Sequence, residues 1–437
     1  MRFDMIVHNG LLITVNPEFD IIDNGFIAIR DGKIARIEKQ DDNTALPESA
    51  EYIDAGGGIV LPGLINTHTH LPMNLFRGLA DDLPLSIWLN EHIFPAEAKH
   101  ICPENVKWAA MLACSEMLLS GTTTCCDGYF LEDFVAWAVE ASGMRAVLGQ
   151  GVIDFPAPGI SDPADNIAHA AAFVEKWKGK NSRIHPSIFC HSPYTCSAQT
   201  LKNAKTAADS SGVLFQIHAA ETKQEREETI LFHGLSPIAY LDHLGILDKN
   251  TLLVHAIWTD DKDIDIIAKN GVKISHNPES NMKLGSGIAP LPQFLQAGIT
   301  VGLGTDGCAS NNAADLFRTM GITAKLHKVN TLDPTVINAR TALELATIRG
   351  AKAMGLDNDI GSLEIGKKAD MIIIDTDAPH LLPMYHPTSV MVYAASGSDV
   401  RDVIIDGKLV VKDRRILVWD TDMILRHIEA IAKSVAA

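Results

Sequence analysis

No run of about 18 apolar residues occurs in the 437-residue chain, so no membrane-spanning helix is expected. Basic side chains are outnumbered, with 37 Lys and Arg against 54 Asp and Glu, a formal net charge of −17. So acidic a balance excludes nucleic acid as a partner, because phosphate backbones need clustered Lys and Arg. Met1-Arg2-Phe3-Asp4 places an acid where a secretory leader would carry its apolar core. The 7 cysteines are an odd number for a full disulfide set, and Cys102, Cys114, Cys125, Cys126, Cys190, Cys196 and Cys308 form no CxxC. They read as buried thiols of a reducing compartment, and the expected location is the cytoplasm. Solenoid-period repeats and low-complexity tracts are also missing.

What is present fits a large soluble protein: 46% hydrophobic and 21% charged residues. The length suits one barrel of roughly 250 to 300 residues plus something smaller. Residues 1–61 alternate short apolar runs with turns, Asp31-Gly32 being a strong hairpin motif. The C-terminal end repeats the pattern, with Asp406-Gly407 between Val403 to Ile405 and Leu409 to Val411. Residues 1–61 and 366–437 are therefore expected to form one small β-sandwich built from both termini, with a terminal helix in the second part. Residues 62–365 alternate strand-like and helix-like segments, which favours parallel βα units and an α/β fold. Eight candidate strands stand out: Gly63 to His70, Gly121 to Gly128, Arg145 to Val152, Ile184 to Ser192, Leu214 to Glu221, Thr251 to Ile257, Lys273 to Pro278 and Thr300 to Asp306. Eight closes a (β/α)8 TIM-type barrel. After the last strand, Asp333-Pro334 predicts a helix start, and Gly355 its end.

Four of these apolar runs end on side chains that bind metals: His68-Thr69-His70, His218-Ala219-Ala220-Glu221, His255 and Thr305-Asp306-Gly307. Side chains at i and i+2 of a strand share a face, so His68 and His70 can point inward together. Each could separately be a satisfied polar group at a strand end. In barrel order at strands one, five and eight, His68, His70, His218 and Asp306 instead predict one divalent ion at the C-terminal rim. Zinc and iron(II) suit that set equally, and manganese is a further candidate. Glu221 is expected to carry protons for the water the ion activates. The competing reading makes Glu221 the start of a solvated acidic helix with Glu225, Glu227 and Glu228. His255 either hydrogen-bonds the attacking hydroxide, ligates the metal, or is a buried structural histidine.

These residues, in this order, resemble the amidohydrolase superfamily over nearly the whole chain. The resemblance rests on Pro62 through His70, His218 through Glu221, Gly302 through Gly307, and Gly361 through Asp370. Within it the chain is most similar to the 5′-methylthioadenosine/S-adenosylhomocysteine deaminases, through Phe76 to Leu83, Ile93 to Glu97, His191 to Thr195, Ser275 to Pro278 with Ser280 to Leu284, and Asp306-Gly307 with Ser310-Asn311-Asn312. Related barrels bridge a second ion with a carbamylated lysine on the fourth strand. Here Ile184 to His191 holds no lysine, which implies a mononuclear site.

The resemblance implies hydrolytic deamination of an adenosine-type nucleoside at C6, giving the inosine analogue and ammonia. Glu221 would protonate N1, while His255 and Asp306 orient and deprotonate the water. Glu97 would grip the ribose hydroxyls, His191 would contact the nucleoside, and Trp88 would pack on it unless it is simply core. Some similar enzymes bind a homocysteine carboxylate with arginines on and after the third strand. Here that stretch reads Gly149-Gln150-Gly151, followed by Val152 to Asp162 without a basic residue. Gln150 offers only a neutral hydrogen bond, so methylthioadenosine or adenosine is expected to be preferred over adenosylhomocysteine. Rival readings are a guanine, 8-oxoguanine or triazine hydrolase on the same scaffold, or a non-catalytic barrel used for assembly. Pro-Cys-x-x-Cys is absent, which excludes the other zinc-deaminase scheme. A homo-oligomer is expected.

Overall fold

The computed structural model describes residues 2–40 and 45–435. It contains two compact units, one of residues 1–66, 115–124 and 315–420, the other of residues 67–114, 125–314 and 421–437.

Strands from the N-terminal and C-terminal parts of the chain share one nine-stranded sheet. Met371–Ile374 runs antiparallel to Ile59–Pro62, with Ile372 opposite Leu61. Ile59–Pro62 in turn lies beside the strand Phe3–Ile13. Alternation puts Val7, Leu12, Ile27, Ile29, Val60, Met371, Ile373 and Ile404 into one apolar cluster. Both hairpins form as the sequence predicts. Asp31 and Gly32 have φ of 51° and 71°, Asp406 and Gly407 of 53° and 71°, the left-handed pair of a type I′ turn. The two turns meet: a Cβ on Gly32 would lie 2.8 Å from the Asp406 carbonyl oxygen.

The second sheet has eight strands, here β1 (Leu64–Thr69), β2 (Thr122–Tyr129), β3 (Arg145–Val152), β4 (Ile184–Cys190), β5 (Phe215–Ala219), β6 (Thr251–His255), β7 (Lys273–His276) and β8 (Val301–Leu303), in sequential order. The pairs from β3 to β5 and from β5 to β8 are parallel. After β8 the Asp306 N–H donates to the His68 carbonyl at 2.9 Å, carrying the last strand end back to the first and nearly closing a (β/α)8 barrel. All eight expected strands are present.

Two local expectations need correction. The helix predicted from Asp333 begins later: the Asp333 carboxylate accepts from Thr335 N, but Ile337 turns left-handed at φ 44°. The chain restarts at Asn338, whose side chain caps Thr341 N over Ala339–Leu345; a second helix, Ile348–Ala353, ends before left-handed Gly355. Of the cysteines, six are buried free thiols but Cys102 is exposed. Among the described residues no helix is long and apolar enough to cross a membrane.

Candidate active site

His68 lies on β1 and His70 follows it, on the inward face that their spacing requires. His218 comes from β5, His255 ends β6, and Asp306 lies just past β8. Their ring nitrogens and carboxylate converge. His218 Nε2 lies 3.2 Å from His68 Nε2. Asp306 Oδ1 lies 3.4 Å from His68 Nε2 and 3.3 Å from His70 Nε2. His68, His70 and Asp306 make one group of metal-ready atoms, and His68, His218 and His255 a second.

The protonation states suit a cation. Burial pushes His68 down to about 4, with the hydrogen bond to Asp306 opposing, and pushes His70 and His218 below the ordinary histidine value. Burial also works against ionising Asp306, but its hydrogen bond to His68 and the neighbouring rings hold its carboxyl well below the usual carboxylate range. His70 Nδ1 lies 2.6 Å from the Gly128 carbonyl, which can only accept, so its Nε2 keeps a lone pair facing the cluster. Imidazole nitrogens and a carboxylate within hydrogen-bond range, all buried, are a donor set for a divalent ion.

Supporting groups fix these donors. Asp306 Oδ2 accepts from Ser280 Oγ at 2.6 Å and Ser310 Oγ at 2.9 Å, and its Oδ1 from Gly307 N at 2.8 Å. Asp127 Oδ1 accepts from Leu71 N at 2.7 Å, tying down the segment after His70. His255 Nδ1 pairs with Asn281 Oδ1 at 2.8 Å, which leaves its Nε2 facing Glu221 Oε2 at 3.9 Å. Several strand ends turn left-handed here: Ala220 at φ 53°, His255 at 74°, Ala256 at 48° and Asp306 at 64°. Such strain in non-glycine residues clusters at functional sites.

Of the donor set, His70, His218 and Asp306 line a cavity of about 710 Å³, part of it open to solvent. Glu221, His255, His191, Glu97 and Trp88 all line it, so the structure brings these expected residues to one place. Trp88 and Glu97 come from the long connection after β1, on a π-helical turn (Trp88–Ile93) and the helix Phe94–His100. Asp81 of that connection is anchored by Lys283 Nζ at 2.6 Å and Asn312 Nδ2 at 3.0 Å. Burial raises the Glu97 carboxyl to about 7 against the hydrogen bond it accepts from Tyr129, whose hydroxyl lies 2.5 Å from Oε1. Burial pushes His191 down to about 3, and its Nδ1 faces Thr195 Oγ1 at 3.0 Å. Burial likewise raises Glu221, with His255 opposing.

Gln150 is not brought there. On β3, Gly149 and Gly151 take the inward positions, where a Cβ would strike Phe189 and Phe130 respectively. Strand alternation sends Gln150 outward: its Oε1 accepts from Glu132 N at 3.2 Å, and it lines a separate cavity with Leu131 and Pro158.

Several lining residues escaped the sequence reading: Phe94, Tyr129, Phe130, Phe189 and Tyr194. Phe189 was within reach, two residues before His191 and on the same face of β4. A second cavity shares Phe94, Glu97 and Phe130 with the first and continues along Ile101, Ile153, Phe155 and Pro156, with no basic side chain among the described residues lining it. Phe94 and Phe155 meet edge to face at 5.5 Å.

The amidohydrolase family model matches residues 59–410. The chain belongs to the amidohydrolase family. The chain is 45% identical over 434 residues to a 5-methylthioadenosine/S-adenosylhomocysteine deaminase of Syntrophobacter fumaroxidans, covering 99% of each. It is 43% identical to a 5′-deoxyadenosine deaminase of Methanosarcina mazei, again over 99% of each. Among solved structures, an adenosine deaminase of Xanthomonas campestris with bound zinc superposes with a TM-score of 0.97 at 34% identity, covering 100% of this chain and 99% of the other. As an amidohydrolase, the chain thus carries its metal-ready residues where a barrel of this kind opens.

Proposed function

We propose that this amidohydrolase hydrolytically deaminates adenosine-type nucleosides at C6, with a single divalent ion, zinc, held by His68, His70, His218 and Asp306. The observation that carries the reading is that Glu221 and His255, 3.9 Å apart, line the same cavity as His70, His218 and Asp306 of that donor set. When bound, the ion supplies a nucleophile at neutral pH by lowering the pKa of a water towards about 7.

The chain's own residues do the rest. Glu221, whose carboxyl burial raises above its ordinary value, is the acid that donates to N1 of the purine and makes C6 electrophilic. His255 presents a bare Nε2, because Nδ1 is committed to Asn281, and takes the proton of the attacking water with Asp306 orienting it. His255 passes that proton to the departing amino group, the C6–N bond breaks and ammonia leaves, while the remaining hydroxyl proton at C6 returns to Glu221 as the C6 carbonyl forms. Glu97 accepts from both ribose hydroxyls, Trp88 and Phe94 cover the base and sugar, and His191 contacts the nucleoside from the end of β4.

The annex along Ile153, Phe155 and Pro156 takes the 5′ substituent. With no basic group there and Gln150 turned away, it suits hydrogen, hydroxyl or methylthio better than a homocysteine carboxylate. The exposed Leu231 and Phe232, 76% and 75% accessible, support a homo-oligomer, and the free thiols support a cytoplasmic address.

Ammonia release over 5′-deoxyadenosine, methylthioadenosine, adenosine, adenosylhomocysteine, guanine and a triazine tests the reading. Turnover is expected for the nucleosides, with adenosylhomocysteine the poorest in kcat/KM. A preference for guanine or the triazine would overturn the assignment, and a preference for adenosylhomocysteine would overturn the reading of the annex.

A further inference from the structure

Strand alternation alone would turn Glu221 away from the cavity. On β5 and its continuation, His218 and Ala220 share one face, and Glu221, an odd step from His218, falls on the other. It nonetheless lines the cavity. The reversal occurs at Ala220, which has φ 53°, a left-handed conformation that alanine rarely adopts.

Something must hold that turn, and the surroundings show what does. The Ala220 carbonyl accepts from Ile257 N at 2.9 Å and Trp258 N at 2.8 Å. On the opposite side, Ala220 N donates to Glu225 Oε1 at 2.8 Å and Glu221 N to Glu225 Oε2 at 2.7 Å. Glu225 is only 4% accessible, unlike the exposed Glu227 and Glu228 of the same helix, Lys223–His233. Thr222 caps that helix by accepting from Glu225 N at 3.0 Å. In an ordinary capping box the third-residue glutamate accepts from the N-cap N–H. Here it reaches back past Thr222 and takes the two preceding N–H groups instead. Both oxygens of a buried carboxylate are thus spent on the two residues whose geometry aims Glu221.

We propose that Glu225 is a positioning residue for the reaction: its two-pronged grip on Ala220 N and Glu221 N holds the left-handed turn that delivers the Glu221 carboxyl to the substrate. This rests on the reading of Glu221 as the proton carrier. Two hydrogen-bond acceptors are needed, so a glutamine, with one acceptor and one donor, serves only in part.

The test is a double-mutant cycle on the metal-loaded enzyme, using Glu225→Ala, Glu225→Gln and Glu221→Gln. Glu221→Gln alone is expected to lower kcat about 10²- to 10⁴-fold with metal retained. Glu225→Ala should lower kcat about 10- to 100-fold with KM within about threefold, and Glu225→Gln by a smaller factor. In the Glu221→Gln background, either change at Glu225 should cost less than about threefold more, because the group it aims is already disabled. A loss of only a few-fold for Glu221→Gln overturns both readings. If that loss is full but the Glu225 effects multiply in the double variants, or fall on KM or metal content, Glu225 is a structural cap only. Should Glu225→Ala fail to fold, the near-isosteric Glu225→Gln gives the same decision.

Discussion

Glu97 shows how much one buried carboxyl can determine. Burial lifts it to about 7 while the Tyr129 hydroxyl holds one oxygen. Only the ionised form can accept from both ribose hydroxyls. For a group raised in this way the carboxylate appears as pH climbs through its own value, so kcat/KM for ribose-bearing nucleosides is expected to rise up to about pH 7 and then level. The 2′,3′-dideoxy analogue should lack that limb. Glu97→Ala should cost roughly 1.5 to 3 kcal/mol in kcat/KM, and much less for the analogue. Profiles that coincide for the two substrates would return Glu97 to a structural role. At this scale the sequence was legible where chemistry is concentrated: His70, His218, Glu221, His255 and Asp306 all line one cavity, and His68 clusters with the metal-ready atoms beside it. It was illegible for Gln150, because reading its side requires the strand's phase, and Gly149 and Gly151 have no side chains to reveal it. It was illegible for Glu225 too, which looks like its solvated neighbours until the left-handed Ala220 is seen.

The regular elements were readable because period-2 apolar runs and Asp-Gly turns are local. The late start at Asn338 was not, since Asp333-Pro334 satisfies every local rule for a helix start and the left-handed Ile337 breaks it. The hairpins allow a direct test. Gly32 has φ 71°, and an added Cβ would press on the Asp406 carbonyl at 2.8 Å. Gly32→Ala is therefore expected to destabilise by about 1 to 3 kcal/mol, from backbone strain and the clash together. A guanidinium unfolding midpoint measured with unchanged slope reports it, and a neutral result would mean the second turn simply moves aside.

For the molecule as a whole, the donor set is the feature with the widest reach. Three imidazoles and a carboxylate drawn from β1, β5 and the end of β8 are brought together in one buried cluster. An ion there ties distant parts of one barrel to each other, so loading should stabilise as well as activate. Chelation is expected to abolish turnover, and zinc, manganese or iron(II) to restore it. At free ion 100 times Kd the added stability is about 2.7 kcal/mol, visible as a rise in Tm. Full activity in protein that elemental analysis shows to be metal-free would refute the site.

The connection that carries Trp88 and Glu97 is fastened from outside. Asp81 and Lys283, whose side chains are 34% and 20% accessible, meet where solvent ions can reach them, whereas Trp88 of the same connection is 5% accessible. The ion pair is therefore wet, whereas the Trp88 side chain is buried. Dissolved salt weakens the first and barely touches the second. Between about 0.05 and 0.5 M salt, departure of the inosine product should quicken while the rate of a single turnover from bound nucleoside stays level. An equal response in both would show that the door swings on something other than this ion pair. If the two responses part, the enzyme's throughput in a cell follows ionic strength through a contact that never meets the substrate.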